Sequence, residues 1–561
     1  MCKGLIFLMA FCLLSFLGFG QNQLQVNGQA AIYHDNYSIR NFGNSDFNPR
    51  RPNNFTRFVI TPYFSAKDFD MPVHLIFALQ QTNTLTPQTS QQNFKDFLLN
   101  PANQISIAPR YKWARLSVGR IFPMYSEFTT GNQSIFGFGL ELRPKKFIVD
   151  LSYGLSQRAV ATDSTNFIQG AFERRNLNFR VGWGNLDKGY FNISSAYAND
   201  IAASADVESD NLKPEEGLTL APAFAIQLGK SLRWKNEVAL GVHTKDKTNA
   251  FALDEFETET LSASPIRINA STRYDYAATS SLEFNKQYWG LSSKAMYVGP
   301  NFQTYGYPFF QNDRIDLTLN PRFNSKNNKM FFTGQAGYRL NNIAETKSQT
   351  TKQLLLSANL NTSLSDKLNL SLNYANFGLE NDFSSDSLKI RNVSSNYGIS
   401  PSFQTSTEKL YHNISATINY NQFEEFNAVS TQKLSQETFN SSLNYSISYI
   451  KIPLLFWAGI ANFKNSSQLS SFDINSLLLG VGYKLFKNSL SLKLSTDIVS
   501  TNRKAFTNDL KLGGKIKINY RYKNKYQLGL NISNSRYEYG SIKPNSNFSE
   551  WFVQTALIKN F

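Results

Sequence analysis

Cysteine is nearly absent: two occur in 561 residues, Cys2 and Cys12. Histidine occurs four times, as His34, His74, His243 and His412, with no ligand-like spacing. So small a stock excludes a disulfide framework and a thiolate or imidazole metal centre. Charge is scarce too, at 17% Asp, Glu, Lys and Arg, against ~25% in a soluble globular chain. Past the first twenty residues no apolar run approaches the ~20 residues that a membrane helix needs. No G-x-S-x-G elbow, Walker loop or zinc-finger spacing occurs. No cofactor, resident metal or enzymatic activity is therefore expected.

What is abundant is aromatic. Phe, Trp and Tyr reach 14%, with 46 Phe and 27 Tyr, too many for a disordered chain. Lys and Arg total 57 against 41 Asp and Glu, a net charge of +16.

The one long apolar run is Leu5 to Phe19, preceded by Lys3 and followed by Gly20. A basic start, a short apolar stretch and small residues at Gly18 and Gly20 predict a secretory signal peptide over 1–20. Residues 21–561 are the expected exported domain. Both cysteines fall inside the leader, as suits an oxidising compartment.

The exported part repeats a period of two. Leu354, Leu356, Ala358 and Leu360 alternate with Leu355, Ser357, Asn359 and Asn361. Ile516, Ile518, Tyr520 and Tyr522 alternate with Lys517, Asn519 and Arg521. Each such segment reads as a strand with one apolar and one polar face. Tight turns at 229–231, 285–287, 364–367, 487–489 and 523–525 alternate with longer polar stretches at 199–216, 245–270, 300–312, 341–351, 379–390, 422–433, 464–473, 501–508 and 534–548. Short and long connections in strict phase predict an all-β fold: a single transmembrane antiparallel β-barrel of about 24–26 strands, with short periplasmic turns and long extracellular loops. The expected location is the cell outer membrane. The first strand is expected at about 24–34 and the last at about 549–561, paired to close the barrel. Tyr197, Tyr374, Tyr420, Tyr522 and Tyr526 are candidates for the interfacial aromatic girdle.

Trp551, Val553, Thr555, Leu557 and Phe561 share one face of the last segment, which ends in an aromatic residue. In this the chain resembles outer-membrane barrel proteins generally, whose final strand is read by the barrel-assembly machinery. The resemblance implies that Trp551, Val553, Leu557 and Phe561 form an assembly signal and that this machinery is a partner. Lys559 departs from the pattern, where an apolar or aromatic residue is usual. Two further stretches, Tyr297-Val298-Gly299-Pro300 with Gly306 to Asp313, and Ser156 to Val160 with Phe172-Glu173-Arg174, resemble large outer-membrane β-barrel proteins of Bacteroidota. That resemblance brings no activity with it.

Chemistry is thin. His243 near Asp246 is the one candidate for rim catalysis, as in a barrel-embedded hydrolase. Asp200, Asp206, Glu208, Asp210, Glu215 and Glu216 cluster in 199–216 and read as a solvated acidic loop or a Ca²⁺ site. Arg158, Arg174, Arg175, Arg314 and Arg322 are candidates for a selectivity ring. The expected partners are outer-membrane lipid and glycolipid, with a lipoprotein or secreted protein beside them, and no nucleic acid. About 26 strands tilted by ~40° enclose a radius of ~26 Å, so an open lumen would leak. The expected function is a non-catalytic channel occluded by its own loops (35–53, 82–102, 199–216 and 245–270) or by a partner protein. The alternative is a scaffold barrel that anchors surface proteins.

Overall fold

The computed structural model describes residues 24–43, 47–81, 100, 103–131, 133–162, 170–204, 212–253, 264–307, 309–383, 390–427, 433–468, 471–503, 508–540 and 546–561. The proposed leader, 1–20, lies outside them.

The described chain forms 26 antiparallel strands in one closed sheet, the top of the expected range. The fourth strand is broken into Gln104–Ile107 and Arg110–Tyr111 at Ala108-Pro109. Both pieces pair with Phe69–Gln81 on one side and Ala114–Ile121 on the other. Proline brings no N–H to the ladder, so the strand is interrupted there and resumes beyond it.

Closure joins the ends of the chain. Ser546–Asn560 pairs with Tyr526–Glu538 and with Gln25–Gly43, in register from Gln29 opposite Asn560 to Gly43 opposite Ser546. Gly28 and Phe561 add two reciprocal backbone hydrogen bonds of 2.9 and 3.1 Å. A closed sheet has no free edge, and every backbone group in hydrocarbon finds its partner within it.

Side-chain alternation divides the wall into two faces. On Glu173–Asn185, Leu177, Phe179, Val181 and Trp183 are 37–51% exposed, while the interleaved Asn176, Asn178 and Arg180 are buried. Outward rows run from strand to strand: Leu528 faces Leu557, Leu557 faces Ile32, Ile32 faces Phe58, and Phe58 faces Phe77. An apolar exterior on a closed sheet is the build of a membrane-spanning barrel, and the protein resides in the outer membrane.

Twelve connections are short: 67–68, 112–113, 143–146, 186–188, 229–231, 286–288, 325–329, 364–367, 407–409, 450–453, 486–489 and 523–525. Every other connection is at the opposite end, so the phase read from the sequence holds throughout.

Several stretches expected as loops are strand instead. Leu368–Phe383, Ile390–Ser406, Leu410–Asn427 and Lys433–Tyr449 run 16, 17, 18 and 17 residues, where ~9–11 suffice to cross a bilayer. Above an outward row of Tyr374, Tyr397, Tyr420 and Phe439 lies an outward row of Asn376, Ser395, Gln422 and Glu437. These hairpins continue into water, where both faces are polar and alternation vanishes.

Candidate functional site

Two long connections turn into the lumen, 122–134 and 299–313. Their described residues are joined to each other. The Gly131 amide donates to the Gly306 carbonyl (3.0 Å), Thr304 Oγ1 to the Thr129 carbonyl (3.2 Å), and the Tyr307 hydroxyl to the Ser126 carbonyl (2.9 Å). Phe128 and Phe302 meet edge to face, and Phe310 contacts both.

The barrel wall is shaped to receive them. Ala221, Ala239 and Ala277 lie on three successive strands, Glu216–Leu228, Leu232–Thr244 and Thr272–Asn285, and face inward. With Val298 and the two phenylalanines they form a fully buried apolar cluster. Small inward side chains leave the depth that two aromatic rings fill. Gly131 and Gly306 allow the closest approach. A Cβ on Gly131 would sit 1.9 Å from the Tyr307 ring, and one on Gly306 would sit 1.6 Å from the Thr129 carbonyl oxygen.

Polar anchors surround the cluster. The Glu237 carboxylate accepts the backbone N–H groups of Glu127 and Phe128, each at 3.2 Å. Lys294 Nζ donates to Glu127 at 2.5 Å. Arg180 donates to the Tyr125 carbonyl at 2.9 Å and is held by Asp150 at 2.6 Å. Asn176 donates to the Tyr305 carbonyl at 3.0 Å, and the Arg174 guanidinium lies 4.5 Å from the Tyr305 ring centre. Burial pushes the Tyr305 and Tyr307 hydroxyls well above the ordinary phenol range, so both stay neutral.

The facing wall is different. On Ser471–Leu485, Leu490–Arg503 and Asp509–Tyr522, the outward residues are Leu492, Leu494, Ile516 and Ile518, so Lys484, Lys493, Lys515, Lys517 and Arg521 face the lumen. Lys493 stands directly opposite Lys517. All five are exposed, and none forms an ion pair among the described residues.

The expected ring of arginines is not assembled. Arg174 is fixed by Asp200 (2.7 and 2.8 Å) and Glu215 (2.7 Å), Arg175 by Glu173, and Arg314 and Arg339 share Asp316. Alternation alone puts Lys517 and Arg521 on the polar face of their strand, but only the hairpin register sets Lys493 opposite Lys517. The same arginine pairs close part of the acidic stretch 199–216. No group of three carboxylate or histidine ligands occurs among the described residues, and Asp206, Glu208 and Asp210 lie outside them. His243 faces inward, but the Asp246 carboxylate takes the amide and hydroxyl of Thr248. The His243–Asp246 pair expected for rim catalysis is not brought together.

The loop fillers are also reassigned. The described residues of 245–271 pack on the outside of the wall. Ile266, Leu253 and Ile268 cluster with outward Tyr197, Leu218 and Val242 and cover them at the long-loop end of the wall. Of 35–53, residues 35–43 are strand, and Phe47 and Arg50 turn inward at the rim against Phe548 and Glu550. Most of 82–102 lies outside the described residues.

Tyr374 and Tyr420 face outward with Tyr397 between them, ring centres 5.1 and 6.3 Å apart. Tyr522 faces Tyr526 across the last short turn. Tyr197 is covered by 245–271 and donates to Glu216 at 2.5 Å. Trp551, Val553 and Leu557 face outward on the closing strand, and Phe561 bonds to Gly28. Lys559 Nζ lies 6.0 Å from the Tyr526 ring centre.

No family model and no curated protein matches the chain. Solved structures similar to it include OccAB4 of Acinetobacter baumannii, at TM-score 0.30 and 12% identity over 66% of this chain and 98% of that one. The P pilus usher PapC translocation pore is similar at TM-score 0.40 and 9% identity, covering 95% and 99%. PapC in an Escherichia coli pilus tip assembly intermediate is similar at TM-score 0.45 and 11% identity, covering 95% and 61%. At these scores the likeness is to barrel architecture and to nothing finer.

Proposed function

We propose that the protein is a non-catalytic outer-membrane conduit whose lumen is narrowed by its own segments 122–134 and 299–313 and whose remaining passage favours anionic solutes. The observation that carries this reading is the asymmetry of the inner wall. One arc is buried beneath the paired segments, and the opposite arc presents Lys484, Lys493, Lys515, Lys517 and Arg521 to open lumen. A stretch of wall with one sign of charge raises the local concentration of counter-ions. Reversal potential of the purified barrel in a planar bilayer under a KCl gradient tests it: chloride preference is expected, and a cation-preferring current contradicts it.

A second reading rests on the tall hairpins between 368 and 449. Their polar rim rises beyond the bilayer and suits a lipoprotein or secreted protein partner. In the same proposal Tyr374, Tyr420, Tyr522 and Tyr526 serve as girdle, and Trp551, Val553, Leu557 and Phe561 as the assembly signal. The resemblance to barrels of Bacteroidota remains part of this proposal.

A further inference from the structure

Each of the twelve short turns carries at least one exposed lysine, from Lys67 in the first to Lys523 and Lys525 in the last. The twelve turns hold sixteen basic residues and four acidic ones. Turn chemistry does not call for lysine. Lys67, Lys112, Lys145, Lys487 and Lys523 have φ between 42° and 60°, the left-handed region where glycine and asparagine sit more easily. Ion pairing within the protein does not account for them either. Among the described residues, only Lys112 with Asp68 (3.7 Å) and Lys329 with Asp366 (3.2 Å) join a turn lysine to a carboxylate.

The side chains show where this charge is directed. Lys112 Nζ lies 5.2 Å from the Tyr111 ring centre, Lys286 Nζ 5.8 Å from Phe284, and Lys523 Nζ 5.3 Å from Tyr522. All three rings face outward. These ammonium groups fold back toward the membrane boundary and away from the lumen.

We propose that the turn lysines bind the phosphate headgroups of anionic phospholipid in the leaflet beside the short turns, as an annulus around the barrel. Distribution decides the occupant. A soluble partner engages one arc, whereas a lipid annulus meets every turn. Aromatic rings at headgroup level with lysines just beyond them match the chemistry of a phospholipid interface. This inference is independent of what the lumen conducts.

The barrel carries its own reporters. Trp113 lies in a short turn, and Trp183, Trp234 and Trp289 face outward close to one. In phosphatidylcholine bilayers, tryptophan quenching by brominated phosphatidylglycerol should exceed that by brominated phosphatidylcholine several-fold at low salt. The preference should fall steeply as KCl is raised, an arm that needs no variant. Replacing Lys112, Lys145, Lys146, Lys188, Lys230 and Lys286 by Gln should bring the two lipids close to parity. Inorganic phosphate should compete no better than chloride at equal ionic strength. Equal quenching by both lipids in the wild type, a preference indifferent to salt, or one that survives the six substitutions would overturn the proposal. Selective displacement by inorganic phosphate would overturn it as well, by assigning the site to a free anion.

Discussion

Phe128 and Phe302 meet inside the barrel with ring centres 5.9 Å apart and planes at 75°. They come from two connections 174 residues apart in the chain, and both are almost fully buried, at 0% and 1% exposure. The contact ties the two inward segments together and to the alanines behind them. Phe128→Ala or Phe302→Ala should each weaken this packing by ~3–5 kcal/mol, with a coupling of ~0.5–1.5 kcal/mol in a double-mutant cycle. The strands should remain intact, so faster limited proteolysis within 122–134 and 299–313, with unchanged strand signal in circular dichroism, is the expected result.

The glycines at the crossing of the segments offer a sharper perturbation. Gly131→Val and Gly306→Val place side chains where Tyr307 and the Thr129 carbonyl already stand. Each should release the segments while leaving the barrel closed, seen as increased current noise and amplitude in single-channel records. Records identical to the wild type would mean that the segments do not border the conducting path.

Arg174 holds two carboxylates and lies over Tyr305. Removing one member of a buried ionic network leaves the others uncompensated, at a cost of ~3–5 kcal/mol. Arg174→Ala should lower the midpoint of chemical unfolding in detergent, and Arg174→Lys should recover it only in part, because the paired contacts to Asp200 need a guanidinium fork. Full recovery by lysine would reduce the site to a simple charge contact.

Lys493 and Lys517 face each other across two luminal strands. Lys493→Glu with Lys517→Glu should move the reversal potential under a KCl gradient toward cations. A reversal potential unmoved by the pair would place the conducting path elsewhere in the lumen.

Replacing Ile266 and Ile268 by Ser should leave conductance unchanged. These side chains cover Tyr197, Leu218 and Val242 on the exterior, so the substitutions affect the surface and not the passage. A rise in conductance would return 245–271 to the lumen.

The barrel was legible in the sequence because lipid imposes a rule on every strand: one face apolar, short and long connections in phase. Leu354 to Asn361 and Ile516 to Tyr522 follow it and lie as expected, as do Tyr522 opposite Tyr526 and the closure of the last strand on the first. The rule stops at the membrane boundary. Asn376, Gln422 and Glu437 are strand residues in water and read as loop because nothing there demands alternation. The interior was less legible for another reason. Ala221, Ala239 and Ala277 are unremarkable singly, and only the hairpin register stacks them into a recess for Phe128 and Phe302. Loop length pointed to 245–270 as a filler, whereas burial depends on which loop carries aromatic residues that match a recess in the wall.

Single-channel conductance of the purified barrel before and after deletion of 301–311 decides whether 122–134 and 299–313 limit the passage. A small conductance is expected for the intact protein, with a several-fold rise on deletion. A large, steady conductance from the intact barrel that the deletion leaves unchanged would contradict that expectation.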